Sequence, residues 1–428
     1  MRIFNFSDSG FDAAFDAFLS EARGSPADVD ASVAAVIEAV RTEGLGAVLR
    51  FSRDFDRIEL NEQSLRVTAE ELAAGAVECP ADVRAALSFA AARIRAYHQR
   101  QRPVDTWFTD EVGVQLGWRW TPLDAVGVYV PGGRAAYPST VLMNAIPAVV
   151  AGVGRIAMVT PPGRLAPAVM AAAVEAGVSE IWRIGGAQAV AALAHGAGPI
   201  RRVDKIVGPG NAYVTAAKRR VYGLVGIDSL AGPSEIVVVA DGANDPAWIA
   251  ADLLSQAEHD PDAQSILITD DVGFANAVAS AVETQLAVLA TGEDAAASWR
   301  DHGAIVIAPL GVSPEIVDRI APEHVEFAVE SPESLSDRVR HAGAIFLGRY
   351  APEAIGDYVA GSNHVLPTSR AARFSSGLST LDFMKRTSIV KCDAASFAAL
   401  AAATETLATA EGLPAHARSV GIRRNRQG

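Results

Sequence analysis

Glu323 and His324 stand side by side in the stretch Ala321-Pro322-Glu323-His324-Val325, which reads as a Pro-broken turn beyond a helix. Histidine is the usual general base near neutral pH, and an adjacent carboxylate raises its basicity or activates a water. Neighbouring Glu and His also occur by chance, so the pair needs company before it implies catalysis. Three other places supply candidates. The segment from Pro246 to Pro261 reads as a helix closing at Asp260-Pro261, and Asp252, Gln256 and His259 fall on one face of it at i, i+4 and i+7. That stripe is either solvated surface or the lining of a site. Asp357 and His364 lie around a Gly-Ser-Asn loop (361–363), one a hard oxygen donor, the other a ring that binds substrate or caps the loop. Glu411 and His416 stand beside the turn that ends a long Ala-rich helix, which is otherwise a solvated tail.

Gln256 and His259 alone offer two donors, too few for a metal. Gln256, His259, Asp357 and His416 together form a nitrogen–oxygen set without sulfur, which suits a zinc site open to substrate better than a closed structural one. His98, His195, His302 and His341 have no partner pattern and read as structural.

Glycine turns are a second kind of signal. Ile184-Gly185-Gly186-Ala187-Gln188 and Ile206-Val207-Gly208-Pro209-Gly210-Asn211 each follow a strand and open a helix. Such a turn presents backbone N–H groups at a helix N-terminus, which suits a phosphate. Neither completes GxGxxG, no acidic residue is obviously placed for a ribose, and tight-turn packing explains each by itself. A third turn, Val128-Tyr129-Val130-Pro131-Gly132-Gly133, carries an aromatic that either meets a nucleotide or fills the core.

The elements that must position these groups follow from patterning. Residues 1–110 read as helical, with Asp28-Val29-Asp30 opening one long helix and Pro80-Ala81-Asp82 another. Two short alternating segments follow, around 113–121 and 124–130. A strand–helix rhythm then sets in, with strand-like stretches at 155–160, 180–184, 204–208 and 234–240 separated by Ala-rich helical segments. A repeat of about 25 residues marks βα units on a parallel sheet. The rhythm restarts with 265–269, 304–308 and 344–348, and after Arg373 the pattern turns to helix, Ala-rich over 393–411. The expected fold class is α/β, with two Rossmann-like parallel-sheet units and helical N- and C-terminal extensions.

With 428 residues the chain exceeds the roughly 100–200 of one domain. Its 37 basic against 50 acidic residues give a net charge of −13, which argues against nucleic acid or an anionic membrane as partner. The one basic cluster, Arg423, Arg424 and Arg426, reads as a solvated tail. Cys79 and Cys392 are the only cysteines, which excludes a Cys-rich metal site, shows no disulfide framework and fits a reducing cytoplasm. The N-terminus has no apolar signal core, and the most apolar stretch (141–160) is broken by Asn144, Pro147 and Arg155, so neither secretion nor a membrane span is expected.

Nine blocks in series carry a resemblance: VGVYVPGG (126–133), VGPGNAYVTAAKR (207–219), AGPSEI (231–236), DLLSQAEHD (252–260), APEHVE (321–326), GDYVAGSNHVLPT (356–368), ARFSSGLS (372–379), DFMKRTS (382–388) and EGLPAHARSV (411–420). In this order the chain resembles histidinol dehydrogenase. That likeness implies a homodimer with intertwined subunits, one zinc per subunit, and two successive NAD-dependent oxidations of L-histidinol through L-histidinaldehyde to L-histidine. Zinc would be held by Gln256, His259 and Asp357 of one subunit and His416 of the other. NAD would contact Tyr129, Gln188 and Asn211. Ser234, His364 and Glu411 would contact substrate, together with His324 and the zinc ligands, and Glu323 and His324 would be the acid–base residues. The implied division is a helical extension (1–24), a zinc and substrate domain (25–126 with 236–377), an NAD domain (127–235) and a C-terminal tail (378–428) completing the partner subunit's site. The loop from Leu366 to Ala371 is less Gly-rich than the family's. A sister dehydrogenase for another polar alcohol would keep zinc, His324 and NAD but change the groups that read the imidazole and amine. A non-catalytic zinc- or nucleotide-binding protein would have no use for an intact Glu323–His324 pair.

Overall fold

The computed structural model describes residues 1–21, 23, 29–132 and 137–424, so Gly133 of the third glycine turn and Arg426 of the basic cluster lie outside the described residues. The sequence folds into two compact units, Met1–Gln101 with Leu123–Phe383, and Arg102–Pro122 with the residues from Met384 onward.

Both parallel sheets lie in the first unit. One has six strands in the order Arg2–Asn5, Ala304–Ile307, Gln264–Thr269, Glu235–Ala240, His324–Ala328, Ala344–Leu347, every neighbour parallel. The other has five, in the order Glu180–Arg183, Arg155–Thr160, Ala125–Tyr129, Lys205–Val207, Gly226–Ile227, again all parallel. Parallel strands are covered by helices on both faces and so read as continuous apolar runs. Glu235–Ala240 and Gln264–Thr269 are buried at all six positions. Successive side chains point to opposite faces. Ile236 and Val238 therefore pack on Ile249, Leu253 and Leu254 of the helix Pro246–Ala257, while Val237 and Val239 join Phe11, Phe15 and Phe18 of the helix Phe11–Ser20.

Several strands, Thr106–Thr109 among them, depart from the sequence expectation. Arg2–Asn5, within the stretch read as helical, is an edge strand paired with Ala304–Ile307; four residues are too few to show a period, and the partner makes the strand. His324–Ala328 was expected as part of a turn and is an internal strand, because Val325 and Phe327 enter the core and both neighbours pair with it. Met384–Lys391 lies where helix was expected. It is a polar strand, mostly exposed, that pairs antiparallel with Gln115–Pro122 in the second unit and lays Arg386 over Trp118 and Trp120. Thr106–Thr109 completes that three-stranded sheet, and the helices Ala394–Ala410 and Pro414–Arg424 pack on each other in the same unit.

The helices Asp30–Glu43 and Leu45–Asp56 also go elsewhere than the implied division puts them. Val33, Val36, Val40, Ala47 and Val48 share one core with Ile184, Val190, Leu193 and Val214, on the five-stranded sheet rather than the six-stranded one. The helix Ala69–Glu78 packs on Pro167–Ala176, which flanks the same sheet. Cys79 is buried, Cys392 exposed, and both are free. Among the described residues no helix is long and apolar enough to cross a membrane.

Between the strand Lys205–Val207 and the helix Ala212–Val221 the chain turns at Gly208, whose φ is 111°. A Cβ there would lie 2.2 Å from the Tyr129 carbonyl oxygen. Gly208→Ala thus meets both a disfavoured backbone and a backbone clash, and should cost about 2 kcal/mol or more. Urea unfolding of the variant should show a lower midpoint, and an unchanged midpoint would mean the turn is free to relax.

Candidate active site

A strained residue delivers the acid–base pair to the sheet. The helix Ser313–Ile320 ends on Ala321, which is fully buried and left-handed (φ 50°, ψ 58°) without being glycine. Such a conformation costs roughly 1–3 kcal/mol and persists only where its surroundings impose it. Pro322 then bars further helix, and Glu323 and His324 enter the N-terminal edge of the six-stranded sheet, both nearly without solvent contact.

Geometry fixes the ring. His324 Nδ1–H donates to the Glu235 carbonyl at 3.1 Å, which leaves the lone pair of the neutral ring on Nε2. The backbone N–H of Glu235 donates to Glu323 Oε2 at 3.1 Å. Nε2 faces Asp357 Oδ1 at 3.5 Å and Glu353 Oε1 at 3.8 Å, and has no hydrogen-bond partner among the described residues. Asp357 and Glu353 lie one turn apart on the helix Glu353–Tyr358 and so share a face. Glu353 Oε2 accepts the Ser255 hydroxyl at 2.8 Å, which ties this helix to the end of Pro246–Ala257. There Gln256 Nε2–H donates to His259 Nδ1 at 3.1 Å, while Gln256 Oε1 is buried without a partner.

The electrostatics are lopsided. Burial pushes Glu323 up to about 8, with the charges of Glu235 and Asp357 adding to it. Burial alone would lower His324, but Glu323, Asp357 and Glu353 outweigh it and lift the ring to about 10. Glu353 is pushed up to about 7, chiefly by burial. Asp357 is instead lowered, because His324 overcomes the opposing effect of burial. Three carboxylates thus surround one imidazole without a Lys or Arg among the charges that act on them. Such a cluster fits a cation: ligand atoms of His324, Glu353 and Asp357 all lie within 4.8 Å of one another, and Gln256 Oε1, next in sequence to the Ser255 that bonds Glu353, is an unused oxygen donor.

Of the ligand set expected from sequence, Gln256 and His259 are in contact, and His259 feels the charges of Asp357 and His324. His416 belongs to the second unit, exposed in the first turn of Pro414–Arg424, with Glu411 exposed just before it. Ser234 immediately precedes Glu235. His364 Nδ1–H donates to the Asp357 carbonyl at 3.1 Å, tying the 361–363 loop to the Asp357 helix, and burial holds its ring below the ordinary imidazole range. In the following loop Ser369 and Arg370 are both left-handed (φ 52° and 64°), so non-glycine residues occupy glycine-type backbone. Thr368 pins that loop by accepting the Gly232 N–H at 2.6 Å. Glu353 is the residue the sequence reading missed, and its i, i+4 spacing from Asp357 was the available signal.

The other candidates sit at the opposite edge of the other sheet. Tyr129 ends its strand, and Gln188 and Asn211 open the helices that follow theirs, so all three lie at C-terminal strand ends, where open α/β sheets bind ligands. Buried Tyr129 is pushed up to about 12, and its hydroxyl accepts the Gly186 N–H at 3.0 Å. Gly186 is left-handed, and a Cβ on it would lie 2.7 Å from Gln188 Oε1. Gln188 Nε2–H reaches Asp56 Oδ2 at 3.4 Å, so Asp56, raised by burial, is an acidic group the sequence could not place there. Asn211 Oδ1 caps its helix, accepting from Tyr213 and Val214 N–H at 3.1 and 3.2 Å. The buried Lys218–Asp228 pair clamps the turn before it, Asp228 accepting the Gly208 N–H at 2.7 Å and Lys218 donating to the Gly208 carbonyl at 3.0 Å.

Fold and site together define an α/β enzyme whose buried acid–base pair adjoins a cation-ready cluster. The profile of the Histidinol dehydrogenase family matches residues 19–424. The chain is 76% identical over 423 residues to the histidinol dehydrogenase of Caulobacter vibrioides, covering 99% of each, and 58% identical over 424 residues to that of Rhodospirillum rubrum, covering 98% of each. Its fold superposes on the crystal structure of histidinol dehydrogenase from Elizabethkingia anophelis with a TM-score of 0.94 at 34% identity, covering 99% of this chain and 98% of that one. The chain belongs to the histidinol dehydrogenase family, a family of oxidoreductases.

Behind the cluster lies a further buried acid pair. Burial pushes Glu326 up to about 9, helped by the charges of Asp252 and Glu353, and Asp252 up to about 6. A group whose folded pKa is raised stabilises the fold below its unfolded value and loses that contribution as pH climbs through the folded one. With Glu353, Glu323 and Glu326 at about 7, 8 and 9 and His324 at about 10, stability in a chelator should fall between about pH 7 and 9, above the range in which the lowered His98, His259 and His364 act in the opposite sense. Glu326→Gln, which has no proton to lose, should flatten the upper part of that fall. Thermal melts of both proteins at about pH 6 and pH 9 check this, and parallel drops would remove Glu326 from the account.

Proposed function

We propose that this protein oxidises L-histidinol through L-histidinaldehyde to L-histidine, consuming two NAD, with one zinc per subunit. The observation that carries the reading is the buried Glu323–His324 pair set against Asp357 and Glu353 in a member of this family. Zinc suits the donor types of Gln256, His259 and Asp357, with His416 as the fourth. When bound, zinc anchors the amino alcohol through its imidazole and amine, and NAD accepts hydride. Tyr129, Gln188 and Asn211 are the residues we assign to NAD, and Ser234, His364 and Glu411 to substrate alongside His324 and the metal ligands.

The chain's own groups then divide the proton work. His324 Nε2 takes the hydroxyl proton as hydride leaves the carbinol carbon. Asp357 neutralised by a bound cation no longer raises His324 fully, which brings the ring toward a pKa useful for a base. Glu323 takes a proton from the water that adds to the aldehyde. His324 first passes its proton to solvent, and the resulting diol then gives up its second hydride to a second NAD and a hydroxyl proton to the freed Nε2. Holding the aldehyde bound until that one water has added keeps a reactive amino aldehyde from side reactions.

A homodimer with shared sites is part of the proposal. Leu400, Leu407 and Leu413 are exposed in the second unit, near Glu411 and His416 in sequence, and exposed apolar residues of this kind suit a second copy. We assign the protein to the cytoplasm, where its free cysteines stay reduced.

Two measurements test the reading. NADH formed per L-histidinol consumed should be two, lost on chelation and restored by zinc. No NADH from histidinol in a zinc-loaded preparation would point to another polar alcohol. Inactive His259→Ala and His416→Ala variants, mixed and refolded together, should regain about a quarter of wild-type activity per subunit, since half the dimers are mixed and each of those has one intact site of two. Absence of recovery would assign His416 to its own subunit.

A further inference from the structure

Glu235 is the residue on which the pair depends. Its N–H holds Glu323 Oε2 and its carbonyl holds His324 Nδ1, so one residue of backbone orients both groups. Its own side chain does not reach either of them in a hydrogen bond. It is buried in an ion pair with Arg23, which comes from 212 positions earlier in the chain. Both side chains are more than nine-tenths buried. Arg23 Nη1 and Glu235 Oε2 have no further hydrogen-bond partner among the described residues.

A buried ion pair stabilises a fold little beyond what well-packed apolar side chains would, because desolvation cancels most of the attraction. What it does impose is position. A carboxylate left alone at this depth must take up a proton or swing toward solvent, and either outcome disturbs the backbone of its own residue. We propose that Arg23 is a positioning residue for the acid–base pair: its buried ion pair with Glu235 fixes the residue whose N–H and carbonyl aim Glu323 and His324. The inference rests on the histidinol reading above and adds a residue to it.

The neighbourhood supports this. Arg370, half-buried in the left-handed loop, lies close enough to Glu235 and Arg23 to feel both charges, yet it makes no ion pair with Glu235. Arg23 is the cation in contact. Glu235 also begins an internal strand, where Gln264 is its paired neighbour and His324 pairs with the next residue, Ile236. A shift at Glu235 is therefore passed to the strand that carries His324.

The test compares wild type, Arg23→Met and Arg23→Lys as zinc-loaded full-length protein, with histidinol bearing deuterium on the carbinol carbon. Misplacing a reacting group by about 1 Å can cost about 100-fold in rate. Arg23→Met should lower kcat by roughly 10–100-fold while the KM for histidinol and zinc content stay within about twofold. The isotope effect on kcat should rise as the bond-breaking step becomes slower than product release, and Arg23→Lys should recover part of the rate. An unchanged kcat per zinc-loaded site would overturn the proposal. So would a loss that reflects only a smaller active fraction, with the isotope effect unmoved. Should Arg23→Met fail to fold, Arg23→Lys decides alone, with a rise in the isotope effect for the proposal and none against it. Failure of the underlying reading looks different: wild type would not turn over histidinol, or Glu323→Gln would turn it over normally.

Discussion

Too much negative charge, held out of water, is the constraint around which this molecule is organised. Glu323, Glu353 and Asp357 crowd one imidazole, and the fold must oppose their repulsion with other parts. Strand pairing on both sides of His324 holds the ring in place, and the Glu235 backbone fixes its tautomer. Ser255 takes up one oxygen of Glu353. What remains is a shortage of positive charge and an unused amide oxygen on Gln256, which together describe a cation site more fully than any ligand spacing does.

The two sheets solve different problems with the same architecture. The six-stranded sheet offers its N-terminal edge, where strands begin and helices end, and there the Glu323–His324 pair meets the last residues of Pro246–Ala257. The five-stranded sheet offers its C-terminal edge, where helices begin and the N–H groups of the turns at Gly186 and Gly208 are held by Tyr129 and Asp228. One edge gathers side-chain donors and carboxylates, the other gathers main-chain donors.

Much of this was legible in the residues. The apolar runs at 155–160, 234–240 and 265–269 became buried parallel strands because a strand covered on both faces has to be apolar throughout. The stripe of Asp252, Gln256 and His259 was visible as a helix face, though not which way it pointed. Local pattern could not reveal what long-range pairing decides. His324 looked like a turn residue because Pro322 breaks the helix before it, and only its two neighbouring strands make it part of a sheet. Asp56 carried no motif of its own, and Glu235 stood in AGPSEI without a role, since each matters through a partner far away in sequence. The assignment of Tyr129, Gln188 and Asn211 came from family likeness, and position at strand ends adds a physical reason for it.

The edge strand Arg2–Asn5 has a consequence for how the chain is made. Its partner, Ala304–Ile307, is about 300 residues later, so a ribosome adding roughly 5–20 residues per second needs some 15–60 s to supply it. Through that interval Phe4 and the phenylalanines of Phe11–Ser20 lack part of the core they join, since Val306, Val325 and Phe327 have yet to emerge. A nascent chain in this state shows an aromatic, amphipathic helix to solvent, the kind of surface that holding chaperones bind. Synthesis speed, which plays no part in the stability of the finished fold, thus sets how long this aromatic face waits for its cover.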